Sequence, residues 1–238
     1  MTSAPLMSCV VPVYNGARFL AEALDSVLAQ PYRPLEIIVV DDGSTDETAE
    51  VCSRYGARIH YERQDNAGPA AARNRGIRRA QGQFLAFQDA DDLWHPEKLA
   101  RQWARFGARP ELEMCITHVQ NFWAPEMKDE EARLRQQHHQ LTAAALPGYT
   151  LQTLLVRRES FERVGYLDES LRPVGEDTDW FIRAREMGLV SEMLSDVLVY
   201  RRMHEHNISR AINSPSGKEQ VLKLVLAKLS RRNEHETR

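Results

Sequence analysis

Four polar clusters, at residues 12–16, 41–46, 88–92 and 175–180, hold the side chains in this chain best suited to chemistry. Asp41-Asp42 closes an apolar run, Ile37–Val40, and continues into Gly43-Ser44-Thr45-Asp46. Asp89-Ala90-Asp91-Asp92 follows Phe84–Phe87 and Gln88, and three carboxylates that close repel one another unless a cation is at hand. Mg²⁺ and Mn²⁺ are commonly held by one or two carboxylates together with substrate phosphates. Glu176-Asp177 opens a third acidic group, where a carboxylate can serve as a general base. His204, in Met203-His204-Glu205-His206-Asn207, adds an imidazole, a ligand that suits Mn²⁺ better than Ca²⁺. Between these lies Asp65-Asn66-Ala67-Gly68-Pro69-Ala70-Ala71-Ala72-Arg73-Asn74. Its small residues let backbone approach a ligand, a helix starting at Pro69 offers free N–H groups to an anion, and Arg73 lies one turn inside.

Plainer explanations exist for each cluster. Gly43 and Ser44 fit a turn and a helix cap, although that leaves two consecutive carboxylates unexplained. Asp91 or Asp92 fits a cap for a helix opening at Pro96. A carboxylate–x–carboxylate triplet is weak by itself, and Asp177-Thr178-Asp179 is a second example. Glu176 and Asp177 suit a helix dipole as well as they suit catalysis. Taken alone, the Arg73 segment fits a packed helix with exposed arginines, and a lone histidine such as His204 is more often structural than a ligand. There is no GxGxxG, no GxxxxGK and no GxSxG, which disfavours a dinucleotide fold, a P-loop and a nucleophile elbow.

The elements that must position these residues alternate through the first half. Strands are expected at Ser8–Val13, Leu35–Val40, Ala57–Arg63 and Gln83–Phe87. Helices are expected at Ala17–Gln30, Thr45–Tyr55 (capped by Ser44 or Thr45), Pro69–Ala80 and Pro96–Phe106. This alternation predicts an α/β fold with a mainly parallel sheet flanked by helices, in which ligands bind beyond the carboxyl ends of the strands. After residue 108 the rhythm breaks. Strands are expected at Glu113–Asn121, Thr150–Val156 and Val197–Met203, and helices at Arg158–Val164, Asp179–Met187 and Lys218–Leu229. The polar stretch 126–140 reads as an exposed helix or a mobile loop.

The 238 residues are 42% hydrophobic and 27% charged, ordinary for a soluble globular chain, and show no linker that would divide it. A net charge of −3 gives no reason to expect nucleic acid. Residues 201–238 carry nine Lys or Arg against four Glu, a local +5. Cys9, Cys52 and Cys115 form no CxxC pair and are expected as reduced core thiols of a cytoplasmic protein. No basic segment precedes the first apolar run as in a signal peptide, and no apolar run nears the roughly 20 residues that cross a bilayer.

Taken in order, Pro12-Val13-Tyr14-Asn15-Gly16, Asp41-Asp42-Gly43-Ser44-Thr45-Asp46, Asn66-Ala67-Gly68 with Ala71-Ala72-Arg73-Asn74, Asp89-Ala90-Asp91-Asp92 and Glu176-Asp177 resemble the inverting glycosyltransferases of family 2, with their GT-A fold. The likeness is dense over 7–108, loose over 148–209 and absent elsewhere. It implies a donor site in which Tyr14 lies against the base and Asp42 accepts its imide N–H, favouring uracil. Pro12, Asp41, Asn66, Gly68 and Ala90 line this nucleotide site, Arg73 meets the base or phosphates, and Asp89 holds the ribose or a metal-bound water. Asp91 and the late His204 would bind Mn²⁺ or Mg²⁺, Asp177 would be the base, and Glu176 and Trp180 would lie on the acceptor and donor-sugar side. Gln88 departs from the pattern by replacing a common apolar residue.

The resemblance further implies a catalytic domain over 1–212, with a nucleotide-binding half, 1–108, and an acceptor-binding half, 109–212. A basic amphipathic helix and tail, 213–238, would follow. The implied donor is a nucleotide-sugar, most simply a UDP-sugar, and the acceptor a glycan or lipid-linked hydroxyl in cell-surface polysaccharide assembly. The setting would be cytoplasmic. The basic, amphipathic pattern of the tail itself, outside the resemblance, fits a helix packed on the domain or one in peripheral contact with the inner face of the membrane, the packed helix being the simpler reading. Two rivals share the α/β, acidic character: a sugar-nucleotide pyrophosphorylase, for which no glycine-rich basic loop follows the first strand, and a non-catalytic nucleotide-sugar-binding module.

Overall fold

Side chains of β1 (Met7–Val13) alternate between two faces, and both faces are buried. Met7, Cys9, Val11 and Val13 join one apolar layer, while Val10 joins the other with Ile38 and Val40 of β2 (Leu35–Asp41). This is why the runs in these strands read as continuously apolar: a sheet covered on both sides has no polar face. The computed structural model describes residues 4–137, 145–171 and 175–208. The first layer is covered by α1 (Leu20–Leu28), α2 (Thr48–Ser53) and α4 (Lys98–Ala108), and the second by α3 (Pro69–Arg79), α6 (Arg158–Val164) and α7 (Glu176–Glu186).

The remaining strands are β3 (His60–Arg63), β4 (Phe84–Phe87), β5 (Leu93–Trp94), β6 (Met114–Trp123), β7 (Leu146–Pro147), β8 (Leu155–Arg157) and β9 (Ser191–Met203). Among the described residues they form a single sheet ordered β3-β2-β1-β4-β8-β6-β9-β5, with β7 on β6. β3, β2, β1 and β4 are parallel; β8 is antiparallel to both β4 and β6, and β9 runs parallel to β6. The expected halves on either side of residue 108 therefore share one sheet, joined at the β4–β8 and β5–β9 pairs.

Several expected boundaries move. Helix α2 begins at Thr48, not Thr45, because Ser44 and Thr45 are committed to another loop and the Asp46 carboxylate takes the Thr48 N–H. Residues 56–58 form a 3₁₀ turn before β3, and Leu151–Thr153 form another where a strand was expected. The two-residue β5 falls within a stretch read only as a helix entry. Helix α7 starts at Glu176 instead of Asp179, which draws the acidic pair into its first turn, and β9 is 13 residues long, beginning at Ser191. The polar stretch after Glu126 is helical as α5 (Lys128–Gln137). The expected helix at 218–229 lies outside the described residues. Cys9, Cys52 and Cys115 are buried free thiols.

Close contact between α3 and β1 depends on Gly76, where an added Cβ would lie 2.4 Å from Val10 Cγ1. Gly76→Ala should therefore cost about 1–3 kcal/mol through overpacking, read as a lower urea midpoint.

Candidate active site

The carboxyl ends of β1, β2 and β4 form the rim on which the site is built. Two loops on this rim are tied together. The Asn15 N–H donates to Ser44 Oγ (2.9 Å), the Gly16 N–H to Thr48 Oγ1 (3.0 Å), the Ala17 N–H to Asp46 Oδ2 (3.0 Å), and the Thr45 N–H to Asn15 Oδ1 (2.7 Å). The polar residues after Asp42 are thus a clasp between the β1 and β2 loops. Tyr14 projects from the clasped region with 53% of its surface exposed. Pro12 is buried in β1 beyond the last β1–β4 pair, Val10–Phe87, so its missing N–H costs no bond to β4.

The two carboxylates at the end of β2 serve the backbone. Asp41 accepts from the Ser44 N–H (2.7 Å) and the Tyr61 hydroxyl (2.7 Å), and is buried. Asp42 accepts from Gln64 Nε2 (2.7 Å) and from the N–H groups of Ala67 (2.8 Å) and Gly68 (2.7 Å), which fixes the loop leading into α3. A carboxylate has about four acceptor directions, so Asp42 keeps one free. Asn66 is exposed on this loop, in an open cleft of about 580 Å³ lined also by Gly43, Arg63, Gln64, Asp65 and Arg75.

Arg73 is buried and joins three segments. Its Nη2 donates to Asp89 Oδ1 (2.7 Å) and its Nη1 to Glu176 Oε1 (2.9 Å), while Nε has no partner. Asp177, next to Glu176, accepts the Leu151 N–H on Oδ2 (3.0 Å). Its Oδ1 is shielded from solvent and unpartnered. Burial pushes the Asp177 carboxyl up to about 7; Arg73 pulls it down, and Glu176 and Asp89 push it further up.

Asp91 stands across the rim. Its Oδ2 lies 2.8 Å from His204 Nε2 and 3.2 Å from Asn207 Nδ2. His204 Nδ1 accepts the His206 N–H (3.2 Å), which assigns the ring proton to Nε2, facing Asp91. The Asp92 carboxylate is buried and takes the Arg202 N–H (2.7 Å), and Arg202 Nε donates to the Asp91 carbonyl (2.9 Å). The Arg202 guanidinium is held between the rings of Phe19 (4.5 Å) and Phe122 (4.7 Å) and pairs with Glu22 (2.8 Å). Gln88, the departure from the expected pattern, is fully buried and its Nε2 binds the Asp92 carbonyl. Ala90 lies beside the β1 loop: an added Cβ on Gly16 would be 3.6 Å from the Ala90 Cβ.

Asp91 would supply one oxygen to Mn²⁺ or Mg²⁺, with a diphosphate and water completing the set; His204 Nε2 would join it only on giving up the proton it directs at Asp91. No group of three His, Cys, Asp or Glu among the described residues is placed to enclose a metal alone.

The Glycosyl transferase family 2 model matches residues 8–165, which include the clasped loops, Arg73 and the Asp89–Asp92 segment. The chain belongs to glycosyltransferase family 2. This glycosyltransferase is 30% identical over 241 residues to an uncharacterized glycosyltransferase of Rickettsia typhi, a match covering 97% of this chain and 74% of the relative. Its fold is similar to S. aureus TarS 1-349 in complex with UDP-GlcNAc, with a TM-score of 0.69 at 22% identity, over 86% of this chain and 60% of that one. It is also similar to the mannosyltransferase PcManGT of Pyrobaculum calidifontis in complex with GDP-Man and Mn²⁺, with a TM-score of 0.62 at 24% identity, over 88% and 60% of the two chains. The chain thus spans about three fifths of these structures, and the mixed sheet with flanking helices is the GT-A architecture. Among the described residues of the glycosyltransferase, no helix is long and apolar enough to cross a membrane.

Trp180, expected on the acceptor and donor-sugar side, is fully buried, stacked on Phe161 (4.7 Å) with Nε1 donating to the Gly165 carbonyl (3.2 Å). It lies one helical turn after Glu176, on the side of α7 turned to the core, whereas Asp177 is offset from Glu176 by about 100°. Glu176 itself is buried against Arg73 instead of open to a substrate. Sequence reasoning missed Arg202, Asn207 and the Leu151 N–H. Asn207 had a signal, an amide three residues after His204 in a polar turn; the Leu151 contribution is backbone, which sequence does not mark.

Because the Asp177 carboxyl is raised to about 7, the folded chain keeps a proton that the unfolded chain sheds near the ordinary carboxylate value. Stability therefore falls as pH rises through that window. Asp177→Asn escapes this loss and should be about 1–2 kcal/mol more stable than wild type at pH 8. The difference should shrink toward zero near pH 4, as urea titrations at the two pH values would show.

Proposed function

We propose that this glycosyltransferase moves one sugar from a nucleotide-sugar, specifically a UDP-sugar, to an acceptor hydroxyl with inversion at the anomeric carbon. The observation that carries this reading is Asp177: a shielded, unpartnered Oδ1, with its carboxyl raised to about 7. It sits on a helix locked through Glu176 and Arg73 to Asp89, which begins the Asp89–Asp92 segment. A carboxyl poised near neutral pH suits a general base.

Tyr14 offers an exposed ring for the base, and the free acceptor direction on Asp42 suits the imide N–H of uracil. UDP-GlcNAc in the TarS complex is consistent with this donor class, whereas GDP-Man in PcManGT makes GDP the control ligand. Asp91 and His204 would hold Mn²⁺ or Mg²⁺, which when bound supplies positive charge beside the diphosphate. Asp177 takes the proton from the acceptor hydroxyl. The oxygen then attacks the anomeric carbon from the face opposite the nucleotide, and the bond to the diphosphate oxygen breaks. The site's place in glycan assembly, with a glycan or lipid-linked acceptor, rests on the family.

Asp177→Asn should lower turnover by about 10²–10⁴ and leave UDP affinity largely unchanged. Turnover would be followed as UDP release from a panel of nucleotide-sugars with Mn²⁺, and affinity by calorimetry. Equal loss of UDP binding would overturn the assignment. Asp91→Ala should weaken UDP binding only when Mn²⁺ is present; equal weakening in EDTA would remove Asp91 from the metal site.

A further inference from the structure

Tyr149 is the most exposed of the large apolar side chains described, at 60%, and the donor site does not account for it. The other exposed tyrosines have evident engagements. Tyr14 stands at the nucleotide rim, Tyr61 donates its hydroxyl to Asp41, and Tyr166 lies under the Arg78 guanidinium.

Two independent links place Tyr149 beside the base. Its ring stands edge-on against Phe181, with centroids 5.8 Å apart at 87°. Phe181 and Asp177 are four residues apart on α7, neighbours on one helix face with about 5–6 Å between their Cβ atoms. Along the chain, Leu151 lies two residues after Tyr149 and donates its N–H to Asp177 Oδ2 (3.0 Å).

The segment carrying Tyr149 is fixed on both sides. The Gly148 N–H donates to the Thr117 carbonyl (3.2 Å), and Thr153 Oγ1 donates to the carbonyls of Gly148 and Thr150. An added Cβ on Gly148 would lie 2.4 Å from Thr153 Cγ2 and 2.5 Å from the Thr117 oxygen, so the backbone here is pressed against β6. A rigidly held aromatic face beside Asp177 is a ready surface for the apolar face of a ligand. Next to it, Thr150 Oγ1 and Asp177 Oδ1 are buried oxygens without hydrogen-bond partners in the protein, and a water or a ligand hydroxyl would complete them.

We propose that Tyr149 and Thr150 form the acceptor subsite, and that its ligand is a pyranose ring. The carbon-bound hydrogens on one face of the sugar lie on the Tyr149 ring, whose electron-rich face attracts them. A ring hydroxyl reaches Thr150 Oγ1, and the attacking hydroxyl reaches Asp177 Oδ1. One isolated ring bordered by unpartnered oxygens suits an amphipathic sugar and not an acyl chain. This inference rests on the transferase reading for the role of Asp177, but the binding itself can be measured without any transfer.

Saturation-transfer NMR on the full chain with UDP and Mg²⁺ provides the test, using methyl glycopyranosides of glucose, galactose and N-acetylglucosamine, with glycerol as the acyclic control. Wild type and Tyr149→Phe should saturate the ring protons of at least one pyranoside, and glycerol should give no signal. Tyr149→Ala should weaken that pyranoside by about three- to tenfold, the range expected for loss of one aromatic contact. No pyranoside signal from wild type, an unchanged signal from Tyr149→Ala, or equal loss in Tyr149→Phe would overturn the subsite. Calorimetry with UDP and Mn²⁺ on the same protein tests the donor reading separately. UDP binding with no pyranoside binding would sink the subsite alone; pyranoside binding without UDP binding would sink the donor reading alone.

Discussion

The site depends on one buried guanidinium. Arg73 is the only cation in direct contact with a group that also includes Asp89, Glu176 and, one residue on, Asp177, counting described residues. Its two bonds reach 16 and 103 residues along the chain. They join the helix that follows the Asp42-bound loop to the acidic rim segment and to the helix carrying Asp177. Burying such a cluster gains little stability by itself, because desolvating the charges costs about as much as their attraction returns. Geometry is what it secures. An arginine presents several donors in one plane and can hold two carboxylates at fixed separation, which a lysine's point charge does not do. Burial raises the Asp177 carboxyl, Arg73 lowers it, and Glu176 and Asp89 raise it further, so that it settles at about 7.

The second constraint is the sheet. The short β5 pairs antiparallel with β9, Leu93 opposite Tyr200 and Trp94 opposite Val199. That register brings Arg202, and just beyond it His204 and Asn207, against Asp91 and Asp92. The Asp91–His204 contact, 113 residues apart in sequence, is therefore a consequence of strand pairing. The Arg202 side chain, lodged between two aromatic rings, holds the Asp91 carbonyl while its own N–H holds the Asp92 carboxylate.

Legibility in the sequence followed the kind of force involved. The parallel half was readable because strands covered on both faces leave unbroken apolar runs, and helices between them show apolar residues one turn apart. Pro69 and Gly82 marked the ends of the α3 region well. Less readable were segments ruled by tertiary contacts. Thr150–Thr153 has strand-like composition, yet the Thr153 hydroxyl and the Gly148 contact curl it into a 3₁₀ turn. Leu93–Trp94 is too short for any periodicity, and gains its strand geometry only from β9. Helix α7 starts early because Gly175 adopts a left-handed conformation (φ 118°), which lets Glu176 enter the first turn and reach Arg73.

By itself, the sequence determined the α/β class, the acidic groups at the strand ends and the family resemblance carried by five motifs in order. These follow from local patterning and from residue types that few other chemistries require. Only the tertiary structure decided which acidic residues are free to act. Asp41 is spent on its own turn and on Tyr61, and most of Asp42's capacity goes to a neighbouring loop. Glu176 is paired with Arg73, and Trp180 points into the core. Asp177 alone of the acidic pair keeps a shielded oxygen without a partner. Hydrogen bonds between distant segments make that distinction, and no spacing along the chain records which donor meets which carboxylate.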